Sequence, residues 1–184
     1  MSARVALKSA TLLCSAMLAV VPAWCAAKEV RRSVSLEELP QSWHEDSGQD
    51  FSLASLHGRR VVFTMAYASC HRICPLTIDG LRRLQRLADA RGEAVEFVIV
   101  GYDPVNDDPR VWREYRLSRR LNRANWHFLN GPVAAVEQLA RQLGFPFWKY
   151  DEHVMHESRA VLFDTQGLER AVLGSRISQW PDAF

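Results

Sequence analysis

The sequence predicts an α/β fold, a sandwich whose sheet is mostly parallel at its centre and antiparallel at one end. Three observations predict it. "VVFTMAY" (61–67) and "AVEFVIVGY" (94–102) are apolar runs of strand length, the kind buried on both faces. A helix-patterned stretch lies between them and others follow, the alternation that builds a parallel sheet. "RAVLFD" and "ERAVLG" flank "TQG", which gives an antiparallel hairpin near the C-terminal end.

The elements follow in order. Residues 28–49 are polar, with Pro40 and Gly48, and are expected to be a flexible leader to a domain spanning 50–184. "FSLASLHGRR" fits a short strand with a turn at Gly58. After the first buried strand, Pro75 suits the first turn of a helix. Leu81, Leu84, Leu87 and Ala88 mark its apolar face, and Gly92 ends it. "DDPR" opens the next helix, with Asp108 as cap and Pro109 at the first position. Trp112 and Tyr115 can face inward, and arginines 113, 116, 119, 120 and 123 are expected to be solvated. "WHFL" (126–129) is a third strand, and "GPVAAVEQLARQLG" a helix with a proline start and a glycine stop.

Residues 1–27 fit a signal peptide. Arg4 and Lys8 precede the apolar run "ATLLCSAMLAVV", and small residues before Lys28 suit cleavage. Export to the periplasm is expected; the alternative is an uncleaved leader anchoring the chain at the outer face of the inner membrane. Beyond residue 27 basic and acidic side chains balance at 21 each. That balance gives no global attraction to nucleic acid or to an anionic membrane. Of four cysteines, Cys14 and Cys25 fall within the leader, so the mature chain keeps Cys70 and Cys74, four residues apart. Two thiols alone in an oxidising compartment form a disulfide unless something reduces or ligates them.

Strands joined by a right-handed crossover lie in one sheet with their carboxyl ends on one edge, where ligands of open α/β sheets bind. The loop "SCHRICPL" (69–76) follows the first buried strand and "YDP" (102–104) the second. The first arm of the hairpin should run antiparallel to them, so the preceding "DEHVMHES" points to the same edge. Cys70, Cys74, Asp103 and either His153 or His156 are therefore expected to converge. In an extended segment two positions three apart face opposite ways, so only one of the two histidines can face the cysteines.

"SLASLHGRRVVFTMAYASCHRICP", "GYDPVNDDP", "WHFLNG" and "HESRAVLFD", taken in this order and spacing, resemble the Sco/SenC proteins from about Phe51 to Leu173. The resemblance implies a thioredoxin-like (peroxiredoxin-related) sandwich with a mixed central sheet. It implies copper ligands at Cys70, Cys74 and His156, the histidine two residues before a serine. It also implies delivery of copper to the copper-site subunit of cytochrome c oxidase, or reduction of that site's cysteines. A thioredoxin-like reductant or another copper chaperone would then be a further partner.

Two thiolates and an imidazole suit copper, because soft sulfur holds Cu(I) and added nitrogen admits Cu(II). A structural zinc site would want a fourth protein ligand. The helix start beside the loop favours thiolate. A thiol–disulfide oxidoreductase using Cys70 and Cys74 is the alternative, although it leaves His156 without a role. A peroxidase would pair a reactive thiolate with Arg72. Asp103 is either a turn residue or a second-shell or docking group, since a carboxylate adds little to Cu(I). The roles of His71 and His153 stay open, while His44, His57 and His127 fall outside the convergent edge.

Overall fold

The computed structural model describes residues 33–69, 73–151 and 153–176, with the backbone alone for 73 and 74. In chain order the elements are β1 (Ser42–Glu45), β2 (Asp50–Ser52), β3 (Arg60–Ala66), α1 (Ile73–Arg91), β4 (Val95–Gly101), α2 (Pro109–Ser118), β5 (Trp126–Asn130), α3 (Val133–Leu143), β6 (Phe147–Tyr150), β7 (His153–His156), β8 (Ala160–Phe163) and β9 (Glu169–Leu173). Seven strands join in one sheet in the order β2-β1-β5-β4-β3-β8-β9, and β6 pairs with β7 in a separate hairpin. Strands β3, β4 and β5 are mutually parallel, whereas β8, β9, β1 and β2 run antiparallel to their neighbours. The sheet is therefore mixed, parallel at its centre, as expected.

Burial explains the two apolar runs. Every residue of β4 is buried, and every residue of β3 except Arg60, so both faces of the central strands are covered. Ile78, Leu81, Leu84 and Ala88 of α1 recur at helical spacing and are buried, as are Val136, Leu139, Ala140 and Leu143 of α3. Asp108 caps α2 by accepting from the Val111 amide at 2.8 Å, with Pro109 at its start. Gly144 ends α3 at φ 67°, a left-handed geometry that glycine adopts without a Cβ penalty.

Three differences from expectation have physical causes. The segment 28–49 is not simply a leader: from Leu36 onward it packs into the core. Leu36, Leu39 and Trp43 are buried, and β1 pairs with both β2 and β5. The Trp43 indole donates to the Pro40 carbonyl at 2.7 Å. Its ring lies so close to Gly131 that a Cβ there would fall 2.6 Å from it. The apolar residues of this segment are spaced too widely among polar ones to show a period.

The arginine row of α2 is not wholly solvated. Arg113 donates twice to the Asp46 carbonyl, and Arg116 donates to the Asp46 carboxylate and to the Leu121 and Arg123 carbonyls. Burial raises the carboxyl pKa of Asp46, and the Arg116 guanidinium opposes that rise. Arg119 lies over the Tyr115 ring, 4.7 Å from its centroid, and Arg123 pairs with Asp89. The hairpin β6–β7 was also not legible: "FWKYDEHVMH" mixes aromatic, charged and imidazole side chains in two four-residue strands. No helix among the described residues is long and apolar enough to cross a membrane.

Candidate functional site

The carboxyl ends of β3 and β4 lie side by side, Ala66 opposite Gly101, and the Tyr102 amide donates to the Ala66 carbonyl at 2.8 Å. Three chain segments meet at this edge. The first is the stem of the cysteine loop, Tyr67 to Ser69. The second is the turn after β4, and the third is the stretch from β7 into β8.

The third segment enters as the parity argument requires. Along β7 burial alternates: His153 and Met155 are exposed, Val154 and His156 buried. His156, 5% exposed, is the histidine that turns inward. Its imidazole lies against two tyrosines that follow the parallel strands, Tyr67 at 5.6 Å edge-on and Tyr102 at 4.6 Å. Phe147, its register partner on β6, packs on Tyr102 at 5.1 Å. His156 Nδ1 lies 3.1 Å from the Glu157 carbonyl oxygen. With the proton on Nδ1, Nε2 carries the lone pair that a metal takes. The aromatic walls restrict the ring, and a carbonyl beside Nδ1 favours the tautomer in which the imidazole could hold a metal ion through Nε2.

Helix α1 is tied to the same segment. Thr77 Oγ1 and Ser158 Oγ are hydrogen-bonded at 3.0 Å, both buried. Cys74 is the second residue of α1, one turn before Thr77, and Ser158 is two residues past His156. Thr64 of β3 donates to the Arg159 carbonyl at 2.5 Å, which fixes the approach to β8. The side chain of Cys74, and Cys70, His71 and Arg72 altogether, lie outside the described residues, as does the segment 1–27 expected to be a signal peptide.

Asp103 reaches the edge as a turn residue. Its backbone carbonyl accepts from the Asn106 and Asp107 amides, and its carboxylate accepts from Asn106 Nδ2 at 2.7 Å. Its other oxygen meets Lys149 Nζ of β6 at 3.3 Å, linking this turn to the hairpin that carries His156. His44 pairs with Asp50 on β1–β2, His57 lies near Glu37, and His127 sits between Glu45 and Glu96. His127 lies in mid-strand opposite Val98, and His44, although level with Asn130 at the carboxyl end of β5, lies on β1, separated from β4 by β5.

The sequence did not single out Asp107. It is 2% exposed, and its Oδ1 accepts from the Ala68 amide at 2.9 Å, two residues before Cys70. Its Oδ2 is buried without a hydrogen bond. Burial is the main cause that pushes its pKa to about 7 from an ordinary 3.8. The turn holding it is pinned by Asn130, which donates to the Pro104 and Asp107 carbonyls. Its signal was its place four residues after Asp103, where the turn closes. Next to the capping Asp108 it looked like one more surface acid.

The SCO1/SenC family model matches residues 38–179. The SCO1 protein homolog of Bacillus subtilis (strain 168) is 25% identical over 147 residues, 78% of this chain and 76% of its own length. Among solved structures, Arabidopsis thaliana ScoI with copper bound superimposes with a TM-score of 0.69 at 20% identity, covering 78% of this chain and 92% of that one. BsSco, described as a member of the Sco family of cytochrome c oxidase assembly proteins, gives 0.68 at 23% identity, covering 84% and 96%. The likeness extends to the thioredoxin-like fold with its mixed sheet.

Proposed function

This chain belongs to the SCO1/SenC family, and on that premise we propose that it is an exported copper-binding protein. It holds copper through Cys70, Cys74 and His156 and passes it to the binuclear copper site of cytochrome c oxidase. The observation that carries this reading is the placement of His156. It is buried and oriented at the edge where the cysteine loop leaves β3, and the Thr77–Ser158 bond ties its strand to the helix that contains Cys74. A relative of the same fold is a copper-bound protein. Another is described through cytochrome c oxidase assembly. Those two descriptions support the cargo and the target. The expected leader supports a periplasmic location.

The chain's own residues divide the work. The thiolates take Cu(I), and Cys74 near the start of α1 has the helix dipole to favour its ionised form. His156 Nε2 supplies the harder nitrogen that Cu(II) needs. Asp103, engaged with Asn106 and Lys149, holds the turn beside the site to the β6–β7 hairpin or docks the partner, rather than binding the metal. Reduction of the target's cysteines by the Cys70/Cys74 dithiol is a second activity compatible with the same loop.

Anaerobic titration of the reduced protein with Cu(I) tests the reading, with C14S/C25S as background so that only Cys70 and Cys74 remain. One tight equivalent should bind, and Cys70→Ala or Cys74→Ala should each lose that equivalent. With Cu(II), His156→Ala should abolish the strong thiolate-to-metal absorption while His153→Ala changes it little. Retention of the tight equivalent by either cysteine variant, or an unchanged spectrum in His156→Ala, would remove the site.

A further inference from the structure

The hairpin β6–β7 has a second face. Its register sets Trp148 opposite Met155 and Tyr150 opposite His153, while Phe147 faces His156 and Lys149 faces Val154. Because strand side chains alternate, the first four share the outer surface and the others turn toward the site. The outer four are in solvent: Trp148 is 56% exposed, Tyr150 71% and Met155 41%, with His153 exposed as well. Two large aromatics and a methionine on one small strand pair form the kind of exposed apolar cluster that marks a binding surface.

We propose that His153 and Met155, with the Trp148 ring beside them, form a second, solvent-facing site for a soft monovalent cation, Cu(I) or Ag(I). A thioether and an imidazole select such ions over hard ones. His153 and Met155 are two apart on one strand, about 7 Å at a rise of about 3.3 Å per residue. Two side chains meeting at one ion with bonds of about 2.0–2.3 Å can span that gap. Trp148 is directly across from Met155, within the cross-strand reach that lets an indole face interact with a cation. The local charge agrees. The one lysine of the hairpin, Lys149, points to the other face and is paired with Asp103. Asp151 lies exposed in the connecting turn. Among the described residues of the hairpin, the outer face carries no lysine or arginine.

On the reading of His156 as an inner ligand, the two sites occupy opposite faces of one strand. The outer one is then an arrival point for the ion that the inner one retains.

Silver(I), which binds as Cu(I) does without redox chemistry, separates the sites. A full chain with Cys14, Cys25, Cys70 and Cys74 replaced by serine, its fold checked by circular dichroism, should bind one Ag(I) and quench Trp148 emission. His153→Gln or Met155→Leu should each weaken that binding by about tenfold or more. Trp148→Phe should remove the quench and leave the equivalent detectable by native mass spectrometry. Zn(II) should not compete.

In the C14S/C25S chain, which keeps Cys70 and Cys74, a second, tighter equivalent should appear. Met155→Leu should remove only the weaker one. If the cysteine-free chain binds no Ag(I), or Met155→Leu binds as the parent does, the outer site does not exist, whatever the cysteines do. Loss of only the tighter equivalent would count against the inner site and leave the outer one standing.

Discussion

Asp107 shows what one buried side chain can contribute at the residue scale. Its carboxyl holds the Ala68 amide at the stem of the cysteine loop and leaves one oxygen without a partner. Its folded pKa, raised to about 7, lies above the unfolded value near 3.8. Between those two values the folded state keeps a proton that the unfolded state has released. Stability therefore falls as pH rises through that window, by up to about 1.4 kcal/mol per pH unit, and the penalty is complete above about pH 7. Asp107→Asn keeps an acceptor for Ala68 and cannot ionise. It still buries an unpaired amide, at about 1–3 kcal/mol. The prediction accordingly concerns the slope: relative to the parent, Asp107→Asn should gain stability between pH 5 and pH 8 in urea unfolding. A parent–variant difference that stays constant across that range would mean Asp107 does not titrate there.

At the scale of elements, legibility followed burial. β3, β4, α1 and α3 were readable because both faces of the strands, or one whole face of each helix, are apolar. α2 was readable from its cap and proline. Taking the segment as extended meant that only one of His153 and His156 could face inward, and the structure bears out that alternation; the choice of His156 rested on its place near the strand start and on the family resemblance. What escaped was held by contacts distant in sequence. β1 is a four-residue strand whose place depends on Trp43 against Gly131 and on Asp46 held by two arginines 67 and 70 residues away. Asp107 could not be told from its acidic neighbours without the loop it supports. The Arg116–Asp46 pair gives this scale its prediction. Its side chains are 18% and 5% exposed, so screening by water is limited. Arg116→Ala leaves a buried carboxylate and should cost about 3 kcal/mol of unfolding free energy. Arg116→Ala/Asp46→Ala should recover part of that loss. A double variant no more stable than Arg116→Ala alone would show that the guanidinium acts through its carbonyl bonds to Leu121 and Arg123.

The whole molecule depends on where the folded unit begins. The residues around Leu36 and Leu39 are fastened to the far end of the chain: the Leu36 amide donates to the Gly167 carbonyl at 2.8 Å, and the Glu169 amide to the Val34 carbonyl at 3.0 Å. β1 extends the sheet beyond β5, and Trp43 fills the space that Gly131 leaves open. Removing residues 1–32 touches none of these contacts; removing 1–49 takes away β1, exposes the edge of β5 and empties the Trp43 site. Loss of a buried tryptophan side chain alone costs about 3–5 kcal/mol, a large share of the 5–15 kcal/mol that stabilises a typical domain. A chain starting at residue 33 should therefore unfold cooperatively with a midpoint close to that of the full protein. One starting at residue 50 should unfold at much lower urea or lose a cooperative transition altogether, and copper binding should fail with it. That failure would arise because the β5 edge and the turn after β4, pinned through Asn130, both lose their support. Equal midpoints for the two chains would show that 33–49 is a leader after all and that its packing adds nothing to the fold.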